Sequence, residues 1–99
     1  MTVLMVRAKI KEENVAEAQA AVGKVIQALE QAHPADVRYT ASVLSDGVTF
    51  IALVELNADG SHPLAPFPEY AEFVESLKRW YAEPPVVERM TVMGSYQLF

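Results

Sequence analysis

The 99-residue sequence contains no cysteine. This absence excludes a disulfide framework, a thiolate metal site and a cysteine nucleophile, and it leaves the hydrophobic core to supply the stability of the fold. A chain without disulfides suits a reducing compartment, so we expect a cytoplasmic protein.

Positive charge is also scarce. The chain has 8 Lys and Arg against 13 Asp and Glu, which gives a net charge of -5 and a pI of about 4.9. The basic residues are scattered from Arg7 to Arg89, so a phosphate backbone or an anionic membrane surface would be repelled. We therefore expect neither nucleic acid nor a membrane as a partner.

Glycine and histidine are few, with 4 and 2 residues. The glycines are isolated, which excludes a glycine-rich phosphate loop, and the histidines lack the helical spacing of a metal site. The sequence thus predicts no metal and no cofactor. Residues 1–10 lack the uninterrupted apolar run of a signal peptide or membrane span.

Apolar residues, in contrast, are plentiful. Hydrophobic residues make up 52% of the sequence and charged residues 21%, which is enough apolar material for a core. The length fits one domain, so we expect a single domain over residues 1–99.

The first third of the chain reads as a strand followed by a helix. Residues 2–10 alternate in the manner of a strand. Asn14 and Glu17 form a capping-box-like pair, after which apolar residues recur at helical spacing. Pro34 cannot continue a helix, so the helix is predicted to end near Ala32.

The middle of the chain predicts a β-hairpin. Residues 37–44 and 48–56 are apolar or alternating segments joined through Asp46-Gly47, a dipeptide typical of a two-residue hairpin turn. A long irregular loop follows over residues 57–68.

The last third predicts a helix and a strand. Pro68 suits a first helical position, and the apolar stripe that follows it stops at Pro84-Pro85. Residues 86–99 read as a strand with a bulge or close backbone approach at Gly94.

The predicted element order is βαββαβ. It is typical of an α+β, ferredoxin-like fold, in which two helices cover one face of a four-stranded antiparallel sheet. The opposite face should then be polar in a monomer, yet several strands are apolar on both sides. A second sheet would bury these residues, so the sequence predicts a homodimer through the sheet face; the residues concerned are Val3, Met5, Ile51, Leu53 and Met93.

Several features together resemble a known superfamily. The segment Arg38-Tyr39-Thr40-Ala41-Ser42 leads through Asp46-Gly47 to Thr49-Phe50, and the helix over residues 69–80 precedes a proline-broken last strand. With the element order, these features resemble the dimeric α/β-barrel superfamily and, within it, the antibiotic-biosynthesis-monooxygenase-like proteins. The resemblance covers nearly the whole chain.

The resemblance implies several activities. Such proteins include enzymes that add oxygen to electron-rich phenols or anthrones without metal or flavin, relatives that degrade haem, and proteins without an assigned activity. The haem-degrading relatives use an Asn of the first strand and a His and a Trp near the second helix. Here the first strand has no Asn and no His follows Tyr70, which disfavours haem degradation.

A cofactor-free oxygenase needs an apolar pocket that holds an acidic phenol and excludes water. Tyr39, Tyr70, Trp80 and Tyr81 could form its walls. The indole of Trp80 could stack on a planar ligand, or it could pack at the helix edge or the dimer seam. Tyr39 and Tyr70 could line the pocket or belong to the core.

His62 is the candidate catalytic residue. It lies between Ser61 and Pro63 in the long loop, and it could act as a general base or hydrogen-bond a phenolate. The alternative is a solvated loop histidine.

Three other ionisable side chains have simpler interpretations. Arg7 and Arg38 could neutralise an anionic substrate, but pairing with Glu55 or Glu88 across strands explains them better. His33 is expected at a helix terminus.

The sequence therefore supports two hypotheses. The first is a cofactor-independent monooxygenase-like enzyme for a small aromatic or quinol substrate. The second is a noncatalytic dimeric module that binds a small ligand or a protein. A space filled by side chains between the helices and the sheet would favour the second.

Overall fold

The computed structural model describes residues 1–97. Four strands and two α-helices follow one another in the predicted order, with a short 3-10 helix before the first α-helix. The elements are β1 (Thr2–Lys9), the 3-10 helix (Glu12–Asn14), α1 (Val15–Ala32), β2 (Tyr39–Val43), β3 (Thr49–Glu55), α2 (Pro68–Trp80) and β4 (Val86–Thr91).

The sheet has the strand order β2-β3-β1-β4, and all neighbouring strands are antiparallel. This is the ferredoxin-like α+β arrangement that the sequence predicts. In β1, Ala8 pairs with Phe50 of β3, and both are buried against the helices. The main core joins this face of the sheet to α1 and α2; its buried members are Ala8, Ile10, Ala18, Val25, Phe50, Phe73, Leu77 and Trp80.

Helix α1 begins and ends where its sequence predicts. Asn14 is the N-cap residue, but the predicted capping box does not form: its side chain makes no hydrogen bond to the backbone of the first turn, and its Nδ2 donates to Glu17 Oε1 at 3.2 Å instead. At the other end His33 adopts a left-handed conformation with φ of 49°, and its N–H donates to the Leu29 carbonyl at 2.9 Å. His33 therefore lies at the helix C-terminus.

The turn between β2 and β3 differs from the predicted two-residue turn. Leu44 N donates to Thr49 O at 2.8 Å, so four residues lie between the hydrogen-bonded pair. The Asp46 carboxylate accepts hydrogen bonds from Val48 N at 3.0 Å, Thr49 N at 2.9 Å and Thr49 Oγ1 at 2.6 Å. These bonds hold the pKa of Asp46 below its ordinary value. The longer turn is preferred because the Asp46 side chain satisfies backbone donors that a shorter turn would pair directly.

The loop before α2 is held by its own polar groups. Asn57 N donates to Ser61 O at 3.0 Å, and Ser61 N donates to Asp59 Oδ1 at 2.9 Å. Pro68 occupies the start of α2, where its missing N–H costs nothing. The loop thus delivers His62 next to the first turn of that helix.

The last strand is shorter than predicted. β4 ends at Thr91, and residues 92–97 form bends and irregular structure rather than a strand. The remaining residues of the predicted strand, 98 and 99, lie outside the described part of the chain.

The face of the sheet away from the helices carries fewer exposed apolar side chains than predicted. Val3 is completely buried within a single chain, contrary to its predicted exposure, and Met93 is fully exposed on the segment after β4. Met5, Ile51 and Leu53 are half-buried. Over residues 1–97, no helix is both long and apolar enough to cross a membrane.

Candidate functional site

A cavity of about 210 Å³ lies between the helices and the sheet. Its walls are almost entirely apolar side chains of all four strands and both helices. They include Leu4, Val6, Ala8, Val22, Ala41, Phe50, Ala52, Phe73, Val74, Leu77 and Val87. Val87 of β4 is 55% exposed, so the cavity reaches the surface beside this edge strand.

Short side chains on the sheet explain why this space exists. Ala41 of β2 pairs with Ala52 of β3, and Ala52 pairs in turn with Val6 of β1. One row across the sheet therefore carries small side chains where larger ones would fill the space under the helices.

Three tyrosines supply the polar groups of the cavity wall. Tyr39 starts β2, Tyr70 lies in the first turn of α2, and Tyr81 directly follows α2. Burial and the neighbouring Tyr70 raise the pKa of Tyr39 to about 12. Burial and Tyr81 raise the pKa of Tyr70, and burial raises that of Tyr81. All three phenols are thus protonated hydrogen-bond donors at neutral pH.

The hydroxyl of Tyr39 is buried and has no hydrogen-bond partner among the described residues. Leaving such a group unpaired costs about 1–3 kcal/mol. The Tyr39 side chain lines the cavity, whereas its hydroxyl oxygen is enclosed by the protein.

His62 reaches the cavity through Tyr70. Its Nε2 lies 3.1 Å from the Tyr70 hydroxyl oxygen, and the two rings stack with centroids 4.8 Å apart at 27°. On the other side of the imidazole, Leu64 N donates to His62 Nδ1 at 3.1 Å. His62 itself is not part of the cavity wall.

These two contacts define the tautomer of His62. Because Nδ1 accepts the Leu64 N–H, the proton of the neutral ring is on Nε2, which donates to the Tyr70 oxygen. Burial lowers the pKa of His62 and so favours this neutral form. The Tyr70 hydroxyl proton remains available to another acceptor.

Trp80 does not line this cavity. Its side chain is buried in the main core, and it borders a shallow depression between α1 and α2 together with Glu17, Lys24 and Glu72. The structure therefore brings Tyr39, Tyr70 and, through Tyr70, His62 to one site, and places Trp80 elsewhere.

The arginines also lie apart from the cavity wall. Arg38 Nε is 3.6 Å from Glu55 Oε2, which confirms the interpretation that this arginine pairs across strands. Within residues 1–97, no cluster of three or more His, Asp or Glu side chains has the geometry to hold a metal ion.

The sequence-based predictions missed two features: the row of small side chains across the sheet, and the hydrogen bond from the Leu64 N–H to His62. Strand alternation places Ala8, Ala41 and Ala52 on the side of the sheet that faces the helices. Short side chains at such positions leave space, so the sequence did contain a signal for the cavity. No pattern in the sequence indicates the contact of the Leu64 N–H with His62.

Comparisons with known proteins place the fold. No family model and no curated protein sequence matches the chain. Solved structures do match. An antibiotic biosynthesis monooxygenase is 12% identical, with a TM-score of 0.70 over 95% of this chain and 100% of the other. SnoaB, a cofactor-independent oxygenase from Streptomyces nogalater, is 14% identical, with a TM-score of 0.69 over 97% of this chain and 96% of its own.

A conserved protein from Methanosarcina mazei Go1 is 13% identical, with a TM-score of 0.71 over 91% of both chains. Identities this low establish a shared fold. The resemblance to antibiotic-biosynthesis-monooxygenase-like proteins is thus confirmed at the level of the fold.

Proposed function

We propose that this protein is a cofactor-independent monooxygenase-like enzyme that acts on a small aromatic phenol or quinol in the cavity between the helices and the sheet. The observation that carries the proposal is the cavity itself, an apolar space whose polar wall groups are phenols. The fold that the chain shares with SnoaB and an antibiotic biosynthesis monooxygenase supports the reaction class.

The size of the cavity suits one or two aromatic rings. An apolar protein cavity of roughly 150 Å³ holds benzene, and this cavity measures about 210 Å³. Its walls exclude water from most of the ring, while the tyrosines offer donors to a ring oxygen.

The chemistry needs dioxygen as the only oxidant. Phenol donors favour the substrate anion, whose ring carbon is electron-rich enough to give an electron to dioxygen. A new carbon–oxygen bond forms at that carbon, the oxygen–oxygen bond breaks, and the second oxygen leaves as water with the two hydrogens of the substrate. The product is a quinone.

The residues have distinct roles in this proposal. Tyr70 binds the substrate oxygen, and Tyr39 and Tyr81 line the pocket beside the substrate. His62 assists through Tyr70, because the Leu64 N–H occupies the nitrogen that a general base would need. Trp80 packs in the core and has no contact with the cavity.

A homodimer through the open sheet face is also part of the proposal. Met5, Ile51 and Leu53 are only half-buried on that face. A second copy would bury these side chains. Sedimentation of a Leu53→Glu variant as a monomer, against a wild-type dimer, tests this interface.

One observation favours a second candidate, a noncatalytic binding module. Each polar side chain on the cavity wall is a phenol that donates at neutral pH, so the described wall contains no group that accepts a proton there. Such a site would bind an aromatic ligand without converting it. Ligand binding without oxygen uptake would identify this function.

Oxygen uptake tests the enzyme directly. Purified protein is incubated with a panel of anthrones and naphthoquinols, without added metal or flavin, against a heat-denatured control. Protein-dependent uptake with quinone formation is expected; no uptake with any member would overturn the proposal.

A cavity-filling variant makes the test specific to the site. Ala52→Leu extends a side chain into the cavity and should lower the uptake rate about tenfold or more. Ala58→Leu adds the same side chain at an exposed loop position and serves as the matched control. Equal rates for the two variants would show that the reaction takes place elsewhere.

A further inference from the structure

A chain of hydrogen bonds runs from the backbone to the cavity wall. The Leu64 N–H donates to His62 Nδ1 at 3.1 Å, and His62 Nε2 lies 3.1 Å from the Tyr70 oxygen. The rings of His62 and Tyr70 also stack, 27° from parallel. A backbone N–H can only donate. The Leu64 amide therefore determines which atom donates and which accepts in each of these hydrogen bonds.

The direction matters because a tyrosine hydroxyl has one proton to donate. If Nε2 were the acceptor, the Tyr70 proton would point at the histidine and the cavity would meet an acceptor oxygen. Since Nε2 donates, the Tyr70 proton is left for the cavity.

We propose that His62 is a positioning residue that orients Tyr70 as a donor, so that the cavity selects the ionised form of a small phenol or enol over the neutral form. This inference rests on the cavity of the proposed function and deepens it by naming the protonation state of the ligand. An ionised oxygen accepts the Tyr70 proton in a charge-assisted bond. A neutral phenol keeps its own hydroxyl proton, so it would place a donor against a wall whose polar groups are also donors.

The groups that face this oxygen are consistent with that selection. Tyr39, Tyr70 and Tyr81 are the titratable side chains on the cavity wall, and each stays protonated because burial disfavours its phenolate. A ligand with a lower pKa than theirs is thus the group that gives up its proton.

An optical titration of a bound probe tests the inference without any turnover. 4-Nitrophenol absorbs differently as phenol and phenolate, so its pKa can be measured free and in the presence of saturating protein. We expect the bound probe to ionise about one pH unit lower than the free probe, a tenfold preference for the anion. An unchanged pKa, or a probe that does not bind, overturns the inference.

Variants identify the residues responsible. Tyr70→Phe should abolish most of the shift. His62→Phe keeps an aromatic ring against Tyr70 but removes both nitrogens, and it should reduce the shift while binding of the uncharged probe 4-nitroanisole stays unchanged. His62→Gln, which offers an amide N–H near the position of Nε2, should restore part of the shift.

Exposed residues of the same types provide matched controls. Tyr96→Phe and His33→Phe change solvent-exposed side chains that do not line the cavity and should leave the shift as in the wild type. A shift that survives His62→Phe in full would show that His62 is merely structural.

The inference and the proposed function fail in different ways. A lowered probe pKa without oxygen uptake supports the inference and refutes the enzyme. Oxygen uptake with an unchanged probe pKa supports the enzyme and refutes the inference.

Discussion

His62 Nε2 lies 3.1 Å from the hydroxyl oxygen of Tyr70, eight residues further along the chain, and their rings stack. The contact joins the loop after β3 to the first turn of α2. It therefore links the loop to the polar wall of the cavity.

Replacement of Tyr39 by Phe is expected to stabilise the fold. The Tyr39 hydroxyl is buried without a partner among the described residues, so its removal relieves a desolvation cost of about 1 kcal/mol. Urea denaturation of Tyr39→Phe should show a higher midpoint with an unchanged slope. Tyr96→Phe, at a side chain that is 86% exposed, should leave the midpoint as it is. A clearly less stable Tyr39→Phe variant would mean that the hydroxyl has a partner in solution.

Acid is expected to weaken the contact between His62 and the loop. The pKa of His62 lies below its ordinary value of 6.5, because burial disfavours the imidazolium. The unfolded chain therefore binds this proton more readily than the folded one, and stability that is fully present above pH 6.5 falls as the pH drops through the folded pKa. Protonation of Nδ1 would also remove the lone pair that accepts the Leu64 N–H, and it would place two donors opposite each other.

Nuclear magnetic resonance titration of the two histidines provides the measurement. His62 should titrate below pH 6.5 with a coupled change at the Leu64 amide. In parallel, the wild type should lose more stability than His62→Phe between pH 7 and pH 5. Equal losses in both proteins would contradict the prediction.

Two glycine-to-alanine substitutions should have opposite effects on stability. Gly47, in the turn between β2 and β3, has φ of +76°, a conformation that costs an L-residue about 1–2 kcal/mol. Gly23 lies exposed in the interior of α1, and a Cβ added there would meet nothing within 4 Å, so alanine should stabilise the helix by about 0.5–1 kcal/mol. Thermal unfolding should therefore shift down for Gly47→Ala and up for Gly23→Ala. Shifts of the same sign would argue against the assigned turn geometry.

Local patterns in the sequence were sufficient for the order and bounds of most elements. Helix α2 runs over Pro68–Trp80 because proline starts it and an apolar stripe at helical spacing sustains it. Helix α1 ends at Ala32 because Pro34 follows so closely. These features act through neighbours a few residues apart, so they can be read without the fold.

Local patterns were less reliable where side chains compete with the backbone. Asp46-Gly47 predicts a turn, but the Asp46 carboxylate accepts backbone donors and lengthens it beyond two residues. Val3 follows the alternation of an exposed face, yet it is completely buried. Both outcomes depend on contacts that a pattern of apolar and polar residues does not encode.

The site depended on relationships between distant segments. Alternation places Ala41 and Ala52 on the inward side of their strands, but only the register aligns them with Val6 in one row and opens the cavity. The choice of His62 and Tyr70 as candidates came from their residue types, while their contact follows from the path of the loop.

The sequence by itself determined the ferredoxin-like element order, because periodicity, prolines and caps act over a few residues. The tertiary structure alone decided which aromatic residues meet. It buried Trp80 in the core, brought Tyr39, Tyr70 and Tyr81 to one cavity, and turned the Nε2 proton of His62 towards Tyr70. The physical reason is that strand register and loop path set these distances, and both are established only when separate segments pack together.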